Sequence, residues 1–88
     1  MIKTFKNIIL FNKRFEFYLE LKDIRDNIYT NNKHISSKQI FDLARKSYFL
    51  FGEDISKLVK NFNKDYDENP TINDVGEFDK HFDKYLKL

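Results

Sequence analysis

The stretch that decides the fold reads Ile35-Ser36-Ser37-Lys38-Gln39-Ile40-Phe41-Asp42-Leu43-Ala44-Arg45-Lys46-Ser47-Tyr48-Phe49-Leu50-Phe51-Gly52. It opens as a helix start. The Ser36 hydroxyl can accept from the amide three residues on while Gln39 reaches back, the reciprocal pairing of a capping box. Ile35 and Ile40 stand where a hydrophobic staple fixes the incoming chain. Ile40, Leu43, Ala44, Ser47 and Phe51 then recur at the spacing of one helix face. Gly52 supplies a left-handed residue of the kind that commonly ends helices. The pattern predicts a helix over 37–51.

A second amphipathic stripe follows almost at once. Ile55, Leu58, Val59, Phe62 and Tyr66 predict a helix over 54–66, with Asp54 as its cap. The link between the two helices is very short, so they should pack as a pair. Pro70 closes the next loop. Ile72, Val75, Phe78, Phe82, Tyr85 and Leu86 predict a last helix over 72–87, started by Thr71 with Asp74 or by Asp74 with Glu77. Gly76 costs roughly 1 kcal/mol inside a helix, so its first turn is expected to be irregular.

Upstream the pattern is double. Ile2, Phe5, Ile8 and Ile9 fit a short helix, and Phe17, Leu21, Ile24 and Ile28 fit a second over 14–30. Phe15 to Leu21 also alternates as a half-buried strand does, with Ile8 to Phe11 as a hairpin partner. Glu, Leu, Lys and Arg content favours helix, as does the absence of Gly or Pro in the would-be turn. The expectation is an all-α four-helix bundle in one domain over 1–88. The alternative is an α+β fold with an N-terminal hairpin over 8–21 and three helices.

Composition sets the limits. The chain has ten Phe, five Tyr, no Trp and no Cys, so its small core must be aromatic and neither a disulfide scaffold nor a thiolate metal site is open to it. The start lacks the pattern of a secretory signal, and no run approaches the roughly 20 apolar residues of a membrane span. A cytoplasmic protein is expected.

Catalytic equipment is missing from the pattern. His34 falls in a polar loop and His81 beside an apolar stripe, too few ligands for zinc. Ser36 and Ser37 read as caps, Ser47 as a small residue on a buried stripe, and Ser56 as surface. No glycine-rich phosphate loop occurs, and Asp65 to Asn69 lacks the glycine and terminal Glu of a calcium loop. No enzyme, metal or cofactor is expected.

Charge is small in sum, +2, but unevenly spread. Residues 1–14 carry Lys3, Lys6, Lys13 and Arg14 and no acid. Residues 65–83 carry Asp65, Asp67, Glu68, Asp74, Glu77, Asp79 and Asp83 against Lys80 alone. The acidic segment points to a protein partner with a basic surface. Tyr66, Tyr48 and Phe49 are the aromatic anchors beside it, unless Phe49 packs against the N-terminal region. Lys57, Lys60 and Lys64 share a helix face and offer nucleic acid as the alternative partner, although arginine, the usual base reader, is scarce beyond residue 14.

The second half, from Ile35-Ser36-Ser37-Lys38-Gln39-Ile40-Phe41-Asp42-Leu43 to Pro70-Thr71-Ile72-Asn73-Asp74-Val75-Gly76-Glu77-Phe78 and Phe82-Asp83-Lys84-Tyr85-Leu86, resembles the colicin D-type immunity proteins, short four-helix bundles with a closing helix of this pattern. The likeness covers roughly residues 15–88. It implies inhibition of a tRNA-cleaving toxin by acidic side chains that occupy the toxin's basic cleft. By position, Asp74 and Glu77 would be contact residues, with Asp65, Asp67 and Glu68 beside them. The chain departs from that family's usual acidity in its pI near 8.8. The functional expectation is a non-catalytic inhibitor that covers the working surface of a toxin or another macromolecule. The alternative is a small nucleic-acid-associated or phage-encoded regulatory protein.

Overall fold

The computed structural model describes the backbone of residues 2–69 and 77–86, with side chains over 8–69 and 78–86. Five helices follow in order: α1 (Ile2–Asn31), α2 (Ser37–Leu50), α3 (Glu53–Lys60), α4 (Phe62–Glu68) and the short α5 (Glu77–Lys80). The fold is all-α, and the described residues contain no strand. None of the helices is long and apolar enough to cross a membrane.

The sequence reading fails most clearly at α1. Ile2–Asn31 is one helix of 30 residues, which replaces the short helix and the 14–30 helix and excludes a hairpin over 8–21. Asn12-Lys13-Arg14 has no Gly or Pro and simply continues the helix. The strand-like alternation from Phe15 to Leu21 comes from two apolar rows on opposite sides of one helix. Phe17, Leu21 and Ile28 are buried, whereas Phe15 and Leu19 are exposed. The helix ends where Asn32 takes φ 52° and the Lys33 amide donates to the Ile28 carbonyl at 3.1 Å. Asn tolerates that left-handed geometry better than most side chains.

The start of α2 forms one half of the expected capping box: Ser36 caps the helix, without the return bond from the Gln39 side chain to the Ser36 amide among the described residues. Ser36 is extended, and its Oγ accepts from the Gln39 amide at 3.1 Å. Replacing Ser36 with Ala should cost about 1 kcal/mol, read as a lower urea midpoint with an unchanged slope. An unchanged midpoint would show that the cap contributes nothing. Ser47 is buried on the stripe because its hydroxyl donates to the Leu43 carbonyl at 2.7 Å.

At the α2–α3 junction the Phe51 and Gly52 amides both donate to the Ser47 carbonyl, at 2.8 and 3.2 Å. Gly52 has positive φ as expected, but at φ 128°, ψ −170° it is extended rather than left-handed helical, and it is the N-cap of α3. A non-glycine residue there would be strained. Asp54 is therefore not the cap. Its carboxylate accepts from the Tyr85 hydroxyl at 2.7 Å and pairs with Lys84 at 3.0 Å, so it ties α3 to the closing segment. Burial pushes the Asp54 carboxyl up, but the hydrogen bonds from Tyr85 and Lys84 outweigh it and hold the group below its ordinary value. Ser56, read as surface, is buried at 5% exposure.

The helix expected over 54–66 is broken at Asn61. Its amide is shared between the Lys57 and Leu58 carbonyls, at 3.2 and 3.3 Å, a tightening common at helix ends. Beyond the break α4 clamps the loop that precedes α2. The Asn63 amide group donates to the Ile35 carbonyl at 2.8 Å and accepts from the Ile35 amide at 3.1 Å.

The beginning of the expected 72–87 helix, with Thr71, Asp74 and Gly76, lies outside the described residues. The described part is helical only over Glu77–Lys80. It then continues as tight turns in which the amides of His81, Phe82, Asp83 and Tyr85 donate to the carbonyls three residues back.

The core joins α1 to the closing segment through stacked and tilted rings. Phe82 is fully buried, with its ring 4.9 Å from Tyr18, 5.2 Å from Phe51 and 5.1 Å from Phe78. Phe62 is buried as expected and meets Phe78 at 6.1 Å. The Arg25 guanidinium lies 4.9 Å over the Phe78 ring. Tyr18, on the edge of the core, donates its hydroxyl to Asp79.

Candidate protein-binding face

Helix α2 turns Leu43, Ala44 and Ser47 inward. A 3.6-residue period therefore places Phe41, Arg45, Tyr48 and Phe49 on its outward side. The three aromatics remain 65%, 60% and 77% exposed respectively. The Tyr48 and Phe49 rings meet edge to face at 6.5 Å. Towards α3, a depression is lined by Phe41, Ala44, Arg45, Tyr48, Ser56 and Lys60. Towards α1, Phe49 walls a groove floored by Phe17 and Leu50 and edged by Lys13, Glu16 and Lys46. The Lys46 ammonium sits 4.8 Å over the Phe17 ring. The groove continues along the α1–α2 seam past Ile24 and Leu43 towards Ile28 and Ile35.

The packing of Phe49 against the N-terminal region does not occur in the sense expected. Its ring borders the groove but stays in solvent. The signal was in the spacing: Phe41, Tyr48 and Phe49 all fall off the buried stripe.

The acidic residues are distributed differently from the single patch that their sequence suggests. Asp65, Asp67 and Glu68 are exposed on α4. Asp67 accepts from or pairs with His34 Nε2 at 2.6 Å, and Glu68 lies 4.0 Å from Lys64. Asp74 is outside the described residues, as is the Glu77 side chain. Tyr66 does stand with the α4 acids, but it is half-buried. Its ring contacts Tyr29 at 5.3 Å and His34 at 5.8 Å, and its hydroxyl donates to Asn32 at 3.1 Å. Tyr48 has quite different surroundings, beside Arg45 and Lys60.

The lysine row on α3 and α4 is partly answered within the chain. Lys57 pairs with Glu53 at 3.4 Å and Lys64 with Glu68 at 4.0 Å, both one helical turn apart. No group of three or more His, Cys, Asp or Glu among the described residues could hold a metal ion.

The chain matches no protein-family model, no curated protein and no solved structure.

Proposed function

We propose that this chain is a non-catalytic binding protein that covers the working surface of a partner protein with the outward face of α2. The observation that carries the proposal is the exposure of Phe41, Tyr48 and Phe49 around Arg45. Aromatic residues and arginine are the types enriched at the centres of protein interfaces. The rings bury a large area for little side-chain entropy, and tyrosine and arginine are enriched among hot spots. A folded domain gains nothing for its own stability by holding three large rings in water, so a partner that buries them is the natural complement. The resemblance to colicin D-type immunity proteins suggests that the partner is a toxin.

The test is binding to the product of the gene immediately upstream, together with protection from its toxicity. Phe49→Ser and Tyr48→Ser are exposed substitutions that should leave the fold intact. Each is expected to weaken binding about thirty-fold, the effect of losing a hot spot worth about 2 kcal/mol, and to reduce protection. Full affinity in the folded double variant would overturn the proposal.

A second reading rests on the exposure of Asp65, Asp67 and Glu68 along α4. There a basic partner would be met by acids, and Asp67→Asn would slow association and lessen its salt dependence.

A further inference from the structure

The depressions on the two sides of the exposed α2 rings differ in charge. On the α1 side, Lys13 and Lys46 are balanced by Glu16 and Glu20 around Phe17, Phe49 and Leu50. On the α3 side, the lining of Phe41, Ala44, Arg45, Tyr48, Ser56 and Lys60 holds two cations and no acid. Both cations are exposed, and neither forms an ion pair among the described residues. The helix register explains why. One turn to either side of Lys60 stand Ser56 and Lys64, and one turn to either side of Arg45 stand Phe41 and Phe49. Asp42, three residues before Arg45, lines the α1–α2 seam instead. Glu53 is taken by Lys57 at 3.4 Å and Asp54 by Lys84 at 3.0 Å.

The shape and the charge of this depression select its occupant together. Ala44 and Ser56 are buried, and their small size leaves the space between the exposed rings of Phe41 and Tyr48. The volume is about 240 Å³, and an apolar cavity of about 150 Å³ accepts a benzene ring. A partner that covers these rings also strips water from Arg45 and Lys60. Two cations desolvated without a counter-charge would cost more than the rings return, so the partner must bring an acid to them. We propose that the partner of the α2 face is a protein that inserts one apolar side chain between Phe41 and Tyr48 and sets a carboxylate beside it against Arg45 and Lys60. The proposal rests on α2 as the binding face and specifies what that face takes. The Arg45 guanidinium can hold a carboxylate through two parallel bonds, and Lys60 adds a point charge. The sign is the reverse of the basic partner suggested by residues 65–83, because Asp65, Asp67 and Glu68 stand on α4 and the unanswered cations on α2 and α3.

The probe is a library of random peptides displayed on phage and selected on the immobilised full chain. The enriched peptides are expected to carry Asp or Glu next to an aromatic or aliphatic residue, and to bind less well as salt rises. Arg45→Gln and Lys60→Gln, each at an exposed helical position, should keep the far-UV spectrum and weaken those peptides about tenfold each. Enrichment of basic or uncharged peptides, no enrichment, or full affinity in the folded double Gln variant would overturn the proposal. So would a single-stranded oligouridylate that binds the wild type and displaces the peptides, since basic residues among exposed rings also suit nucleic acid. Phe49 lies outside the depression and separates this proposal from the one it rests on. If Phe49→Ser weakens binding of the upstream gene's product and the Gln variants do not, the α2 face stands and its acidic occupant falls. If the peptides need Arg45 and Lys60 while that product binds the Phe49→Ser, Tyr48→Ser double variant at full affinity, the preference for an acid stands and α2 is not the working face.

Discussion

Phe82→Ala is expected to lower stability by about 3–5 kcal/mol, the cost of removing a large ring from a core that cannot collapse around the gap. The position is unusually exposed to that cost. Phe82 is fully buried and its ring meets Tyr18, Phe51 and Phe78. It therefore belongs at once to the closing segment, to α1 and to the end of α2. The segment around it is short and built of tight turns, so it has little helical stability of its own to hold the remaining rings in place. Against the 5–15 kcal/mol of a typical domain, the loss is a large fraction. The measurement is the urea midpoint, which should fall steeply, or a far-UV spectrum that is already partly unfolded in water. A midpoint close to the wild type would mean that Phe82 is not central to the core.

The second large effect is alkaline. Burial first, and then the hydrogen bond to Asp79, push the Tyr18 hydroxyl up to about 12. An ordinary tyrosine in the unfolded chain loses its proton near 10. Below pH 10 both states are protonated, and this contribution is fully present. Between about 10 and 12 the unfolded state has given up its proton and the folded state has not, so stability falls as pH rises. A rise of that size would be worth roughly 2–3 kcal/mol, and solvent at the edge of the core, where the Asp79 side chain is 42% exposed, screens the loss to less than that; it is complete above pH 12. Urea midpoints between pH 9 and 12 should fall for the wild type and fall less for Tyr18→Phe, which has no proton to lose. Tyr85, pushed up by burial and by its bond to Asp54, leaves a residual decline in that variant. Equal declines in the two proteins would show that Tyr18 is not the group responsible.

Some of this was plain in the residues. The Ser36 cap is a local device, contained within four positions, and it forms as written, although the Gln39 side chain does not return the bond. Phe62 and Phe82 are central on one-faced stripes, and such stripes have one way to be buried. The long α1 was harder for the opposite reason. With apolar rows on both sides, its pattern over 15–21 satisfies a strand as well as a helix, and only the absence of a turn residue favours continuation. The break at Asn61 is silent because the stripe from Ile55 to Tyr66 passes through it without losing register. Ser56 was misread because its burial comes from the close approach of α2, which no pattern within α3 records. At the candidate site, Tyr48 and Phe49 were in view, but Phe41 and Arg45 were passed over, and the acids were grouped by proximity along the chain. Side-chain pairing divides them: Asp67 goes to His34, Glu68 to Lys64, and Asp79 to Tyr18 and Lys22.

The bond from Tyr18 to Asp79 spans 61 positions of the chain, and this separation predicts an order of assembly. Helices α2 and α3 are joined through two residues and can find each other quickly. Closing Tyr18 onto the Phe78–Phe82 segment requires the ends of a long loop to meet, and that entropy is lost before any ring contact repays it. The barrier to folding is then expected to be crossed with the local pair formed and the closing segment still loose. Phe82→Ala should consequently speed unfolding far more than it slows folding, whereas substitutions at Ala44 or Ile55 should act on the folding limb.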